Sequence, residues 1–133
     1  MPAAGDIINI TDFAFGFAKD LAPGVIAASF TLNSAIVRAM TFGDGSQLIN
    51  FKLDVTYTGS TITPSGTANI TDTSCFTLNA AYRPTETVNT CFGTSVGTGE
   101  VQLGTDGNTL LRSYDAGLSN PTTVRMVFNF LKD

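Results

Sequence analysis

Hydrophobic and polar residues alternate along this chain with a period of two. Between Gln47 and Thr58, Ile49, Phe51, Leu53, Val55 and Tyr57 fall on one face, and Asn50, Lys52, Asp54, Thr56 and Thr58 on the other. Such alternation predicts an antiparallel strand with one buried and one wet face. Near the C-terminus Val124, Met126, Phe128 and Phe130 alternate with Arg125, Val127 and Asn129. The second face of that segment is partly apolar, which predicts a strand covered on both sides. Turn residues punctuate these runs. Gly43-Asp44-Gly45-Ser46 separates the apolar run 35–42 from the strand starting at Gln47, and Thr105-Asp106-Gly107-Asn108 separates two later runs. Asp-Gly between apolar runs predicts a hairpin. Threonine occurs 20 times and glycine 13 times, a bias towards strands and turns, and no helix longer than two turns is predicted. Seven to nine strands are expected. The predicted fold class is all-β, an antiparallel β-sandwich of jelly-roll type.

The first 33 residues differ from the rest. Phe13, Phe15 and Phe17 recur at period two in a segment with little polar content, followed by Pro23-Gly24. Two readings stand: an apolar N-terminal arm that buries itself against another subunit, or the leading strand of the same sheet. The expected division is residues 1–33 for the arm or leading strand and 34–133 for the sandwich.

Composition narrows the function classes. A chain of 133 residues is one domain, long enough to bury a core without metals or staples. Only 14% of residues are charged, and histidine is absent. No Ser–His or Cys–His nucleophile pair, imidazole base or histidine metal ligand is available. The net charge is −4, and the seven basic residues occur singly along the sequence, so neither nucleic acid nor an anionic membrane is an expected partner. No apolar run approaches the ~20 residues of a spanning helix. Asp6 and Asp12 interrupt any signal-like apolar segment, so no signal peptide is expected and synthesis is placed in the cytoplasm.

Candidate chemistry is thin. Gly93-Thr94-Ser95-Val96-Gly97 fits the G-x-S-x-G nucleophile elbow, but that motif needs a following helix and a histidine. It reads instead as a glycine-rich hairpin loop. The glutamates number two, Glu86 and Glu100, and no calcium-loop ladder occurs. No catalytic residue, metal site or cofactor is expected. Cys75 and Cys91 are the only cysteines. They either form a disulfide stabilising by roughly 3 kcal/mol or stay as two buried thiols.

One segment carries more information. In Phe76-Thr77-Leu78-Asn79-Ala80-Ala81-Tyr82-Arg83-Pro84-Thr85 a strand ends at Leu78 and a corner follows. Pro84 fixes its own φ and holds Arg83 extended. Farther on, Val101-Gln102-Leu103-Gly104-Thr105-Asp106-Gly107-Asn108 runs from a strand into a D-G turn. This pair of features resembles small β-sandwich domains of tailed-bacteriophage virion proteins, found in head decoration, tail-fibre tips and baseplates. There a corner like L-P-x-x-Y/F-R-P precedes a strand ending in V/I-x-x-D-G-x. Here Asn79 stands where that pattern has proline. The resemblance implies a virion setting, a homotrimer and family-like corner residues Leu78, Tyr82, Arg83 and Pro84, with the hairpin turn at Asp106 and Gly107. Fibre tips usually end long chains, so a short chain that is mostly one sandwich fits a capsid decoration (cement) protein better. Its partners would be its own copies and the major capsid protein or other virion proteins, with Phe13, Phe15 and Phe17 as the contact arm. The alternative is a tail-fibre or baseplate domain that binds a host surface receptor.

Overall fold

The computed structural model describes residues 14–67 and 69–133. Nine strands follow in order: β1 (Ala14–Asp20), β2 (Gly24–Ile26), β3 (Phe30–Phe42), β4 (Gln47–Tyr57), β5 (Asn69–Leu78), β6 (Val88–Gly93), β7 (Thr98–Leu103), β8 (Asn108–Ser113) and β9 (Thr122–Lys132). A single 3-10 turn, Ala80–Tyr82, is the only helical piece among the described residues. All the strands are antiparallel and hydrogen-bond into one sheet, in the order β1-β3-β4-β9-β6-β7-β8-β5-β2, curled into a half-barrel.

The alternation in the sequence decides which side is inside. Ile49, Phe51, Leu53, Val55 and Tyr57 of β4 are all buried, as are Val124, Met126, Phe128 and Phe130 of β9. Curling brings distant strands face to face. Phe51 stacks on Phe128 of its neighbour β9, with ring centroids 5.9 Å apart. It also meets Phe76 of β5 at 5.6 Å, although β4 and β5 lie far apart in the strand order. Burying each such ring contributes roughly 1.5–3 kcal/mol, so these contacts hold the curl closed.

Two walls make up the half-barrel. In the long wall, β4 pairs with β9 in unbroken register from Gln47↔Lys132 to Tyr57↔Thr122. The β3–β4 ladder has one irregularity, between Leu32 and Ser34. There Asn33 reaches back to Asp54 and Thr56, at 3.0 and 2.9 Å. The other wall is β6-β7-β8-β5 with β2 at its edge. Among the described residues the β6–β9 ladder that joins the walls has two residue pairs, Phe92↔Met126 and Gly93↔Arg125.

Two expectations need correction. The outer face of β9 is not covered by the described residues: Arg125, Val127, Asn129 and Leu131 are exposed, because the core lies inside the curl and no described element packs outside. The boundary drawn between residues 33 and 34 falls within β3, which continues through its bulge at that point, and β1 and β2 form the two edges of the same sheet.

Candidate functional site

The Leu78–Pro84 corner and the Asp106-Gly107 turn are about two dozen residues apart in sequence and touch in space. The Leu78 N–H donates to the Gly107 carbonyl at 2.8 Å, and Arg83 Nε donates to the Leu78 carbonyl at 2.9 Å. Gly107 has φ +84°, and a Cβ there would strike the Leu78 carbonyl and the Arg83 side chain. Glycine serves both demands, since it alone takes this φ without penalty and lets the corner approach. Asp106 holds the turn by accepting from the Asn108 N–H at 2.9 Å.

The corner also gathers strands that are remote from it. Tyr82 donates its hydroxyl to Asp20 at the end of β1, at 2.7 Å. That bond and the Ala22 N–H hold the Asp20 carboxyl below its ordinary range, and the same carboxylate raises the Tyr82 phenol. The Asn79 N–H donates to the Pro23 carbonyl at 2.7 Å, and Lys132 of β9 donates to the Ala80 and Ala81 carbonyls. A segment without a strand partner of its own thus pins β1, β5, the β7–β8 turn and the end of β9.

A second feature is an open groove of about 560 Å³ on the outside of the seam where β9 and β6 diverge. Lys52, Asp54 and Arg125 line one side, and Thr90 and Cys91 the other. Asp54 accepts from Arg125 Nε at 2.9 Å, so two of the charges neutralise each other. This set can hold a polar or anionic group, but it contains no nucleophile poised on a base. Among the described residues no group of three histidine, cysteine or acidic side chains could hold a metal ion.

The third feature is the outer face of the long wall, which register makes legible. Phe17, Met40, Leu48 and Leu131 stand in one row across β1, β3, β4 and β9. The next row is Lys19, Arg38, Asn50 and Asn129, followed by Ile36, Lys52 and Val127. Four of the seven basic residues, Lys19, Arg38, Lys52 and Arg125, therefore share one face of these strands, on which Asp54 is the only acid among the described strand residues, a net of +3. Lys19 is directly opposite Arg38, a like-charged pair that costs stability locally. A hollow of about 360 Å³ opens there, with Phe17, Met40 and Leu48 on its apolar side and Lys19 and Arg38 on its cationic side.

The remaining expected sites are placed as follows. Phe13 lies outside the described residues, Phe15 lies on β1, and the Phe17 side chain is 75% exposed. The candidate Cys75–Cys91 disulfide is not formed. Both thiols are free, because Cys75 points into the core from β5 and Cys91 points outward from β6. Burial pushes the Cys75 thiol up to about 12. Gly93–Gly97 forms the β6–β7 hairpin loop, in which the Thr94 N–H donates to the Gly97 carbonyl at 2.8 Å and no helix follows. The sequence matches no protein-family model and no curated protein.

Proposed function

We propose that this chain is a structural subunit of a tailed-phage virion, a capsid decoration (cement) protein that binds the head shell as a homotrimer. One observation carries the reading. The corner and the D-G turn that define the resemblance to phage virion domains form a single bonded unit here, closed by Arg83, Leu78 and Gly107. A convergent Y-R-P corner has no need of that turn. The finer fold follows the same reading: the two walls, meeting through Phe51 and Phe76, act as the layers of a jelly-roll-like sandwich. Phe17, exposed on the edge strand β1, belongs to the contact surface for other virion subunits. A glycan-binding tail domain has less support, since Tyr57 and Tyr114 are buried and the partly buried Tyr82 spends its hydroxyl on Asp20.

Electron microscopy of purified particles labelled on this protein tests the reading. Density on the head is expected; density on the tail, or none, overturns it. Deleting residues 1–20 would also remove β1, so the arm is better tested by deleting residues 1–13 and, separately, by Phe17→Ser. Both variants should fold and lose shell binding in co-sedimentation, and undiminished binding by both would remove the arm from the proposal.

A further inference from the structure

The charges of this molecule are segregated. The outer face of the long wall carries a net of +3, and Lys19, Arg38 and Lys52 on it have no carboxylate partner among the described residues. Residues 59–121, the other wall and its loops, carry Asp72, Glu86, Glu100, Asp106 and Asp115 against Arg83 and Arg112, a net of −3, whereas the whole of 14–58 and 122–133, with Asp20, Asp44, Asp133 and Lys132 counted in, is +1. Asp72 is paired with Arg112, and the other four acids have no basic partner among the described residues.

The apolar features follow the same division. The hollow beside Phe17 is apolar on one side and cationic on the other, so it fits an apolar side chain flanked by carboxylates. The chain itself offers such a knob. Val96, at the tip of the β6–β7 hairpin, is 75% exposed. Glu100 follows it on β7, and register sets Glu100 opposite Ser113, two residues before Asp115. Thr94 is hydrogen-bonded to the Tyr114 hydroxyl, which ties the hairpin to the residue before Asp115. The knob and the hollow lie on different walls, each facing outward, so one chain cannot bring them together.

We propose that the hollow at Phe17, Lys19 and Arg38 is the docking site for the Val96–Glu100–Asp115 knob of a second copy of this chain. The contact is heterologous: each copy presents a hollow to one neighbour and a knob to the other. Such contacts close into a ring when the rotation permits. The inference rests on the reading of the chain as a self-associating subunit, and assigns the two surfaces. It also explains why two cations face each other across β1 and β3, since their mutual cost is relieved when carboxylates arrive.

Sedimentation velocity of the intact protein is the test, because two differently impaired variants should complement each other. Lys19→Glu sets a carboxylate opposite Arg38, so the sheet keeps or gains thermal stability while the hollow loses its field. Val96→Ser removes the knob from an exposed turn. Each variant alone should associate at least about tenfold more weakly than wild type, and raising salt from 0.05 to 1 M should weaken the wild type similarly. Mixed one to one, the variants should form a heterodimer through the one intact hollow and the one intact knob. Association of wild type that is indifferent to both substitutions, or a mixture that stays monomeric, overturns this assignment and leaves self-association standing. A wild type that is monomeric at every concentration overturns both.

Discussion

Eleven consecutive residues of β4 pair with β9 without a shift, whereas β5 and β8 lose register twice along a shorter ladder. The two walls thus bury their inner faces to the same depth by different means. At its β4–β9 centre the long wall relies on uninterrupted alternation, so side chains there fall into straight rows on both faces. The other wall relies on bulges and turns, with residues such as Gly107 and Arg83 locking ladders that alternation alone does not align. Regular pairing gives a smooth outer surface on which charge and apolar character line up. Interrupted pairing gives corners and exposed tips such as Val96.

The largest expected effect probes where the walls meet. Phe51→Ala removes a ring that touches both Phe128 and Phe76 and should cost ~3–5 kcal/mol in urea unfolding. A loss under ~1 kcal/mol would mean that the curl is held elsewhere.

The next contrasts one turn from each wall. Gly45, in the β3–β4 hairpin, and Gly107, in the β7–β8 hairpin, both have positive φ, but a Cβ at Gly45 meets nothing within 4 Å. Alanine at Gly45 should therefore cost only the left-handed backbone penalty, about 1–2 kcal/mol. Gly107→Val adds displacement of the corner and should exceed it by about 1–3 kcal/mol. Equal losses would show that the corner is free to move.

The smallest effect is alkaline. The folded Cys75 thiol has its pKa raised from about 9 to about 12 by burial. A raised acid contributes stability that is complete below the unfolded value and is lost as pH climbs through the folded one. Stability should fall between pH 9 and 12, by roughly 1.4 kcal/mol at pH 10. Cys75→Ala should flatten that slope.

The long wall was the legible one. The spacing of Ile49 to Tyr57 and of Val124 to Phe130 identifies both strands and their buried faces, and both D-G turns mark observed hairpins. Register was not legible, and what the sequence analysis missed depends on it. Lys19, Arg38, Lys52 and Arg125 look solitary because antiparallel pairing, not sequence spacing, brings them together. Val127 predicted a covered face, yet composition cannot tell an apolar residue aimed at a core from one aimed outward, as Val127 is. Cys75 and Cys91 are near enough in sequence to invite a bond, but strand parity sends one inward and the other outward. The corner and the turn were each legible as local chemistry; their contact through Gly107 was not, because it needs the β5–β8 pairing first.

The position of β9 has a consequence for timing. It lies between β4 and β6 near the middle of the sheet, yet it is the last described strand to leave the ribosome. Until then the β1-β3-β4 ladder has a bare flank at β4, and the wall of β6, β7, β8 and β5 has a matching bare flank at β6. Pairing Tyr57 with Thr122, and Gln47 with Lys132, closes loops of 65 and 85 residues at a late stage. Long-range closure of this kind is slow. The nascent chain therefore waits with its stickiest strand unsheltered, and the last segment acts as the keystone that sets the arch.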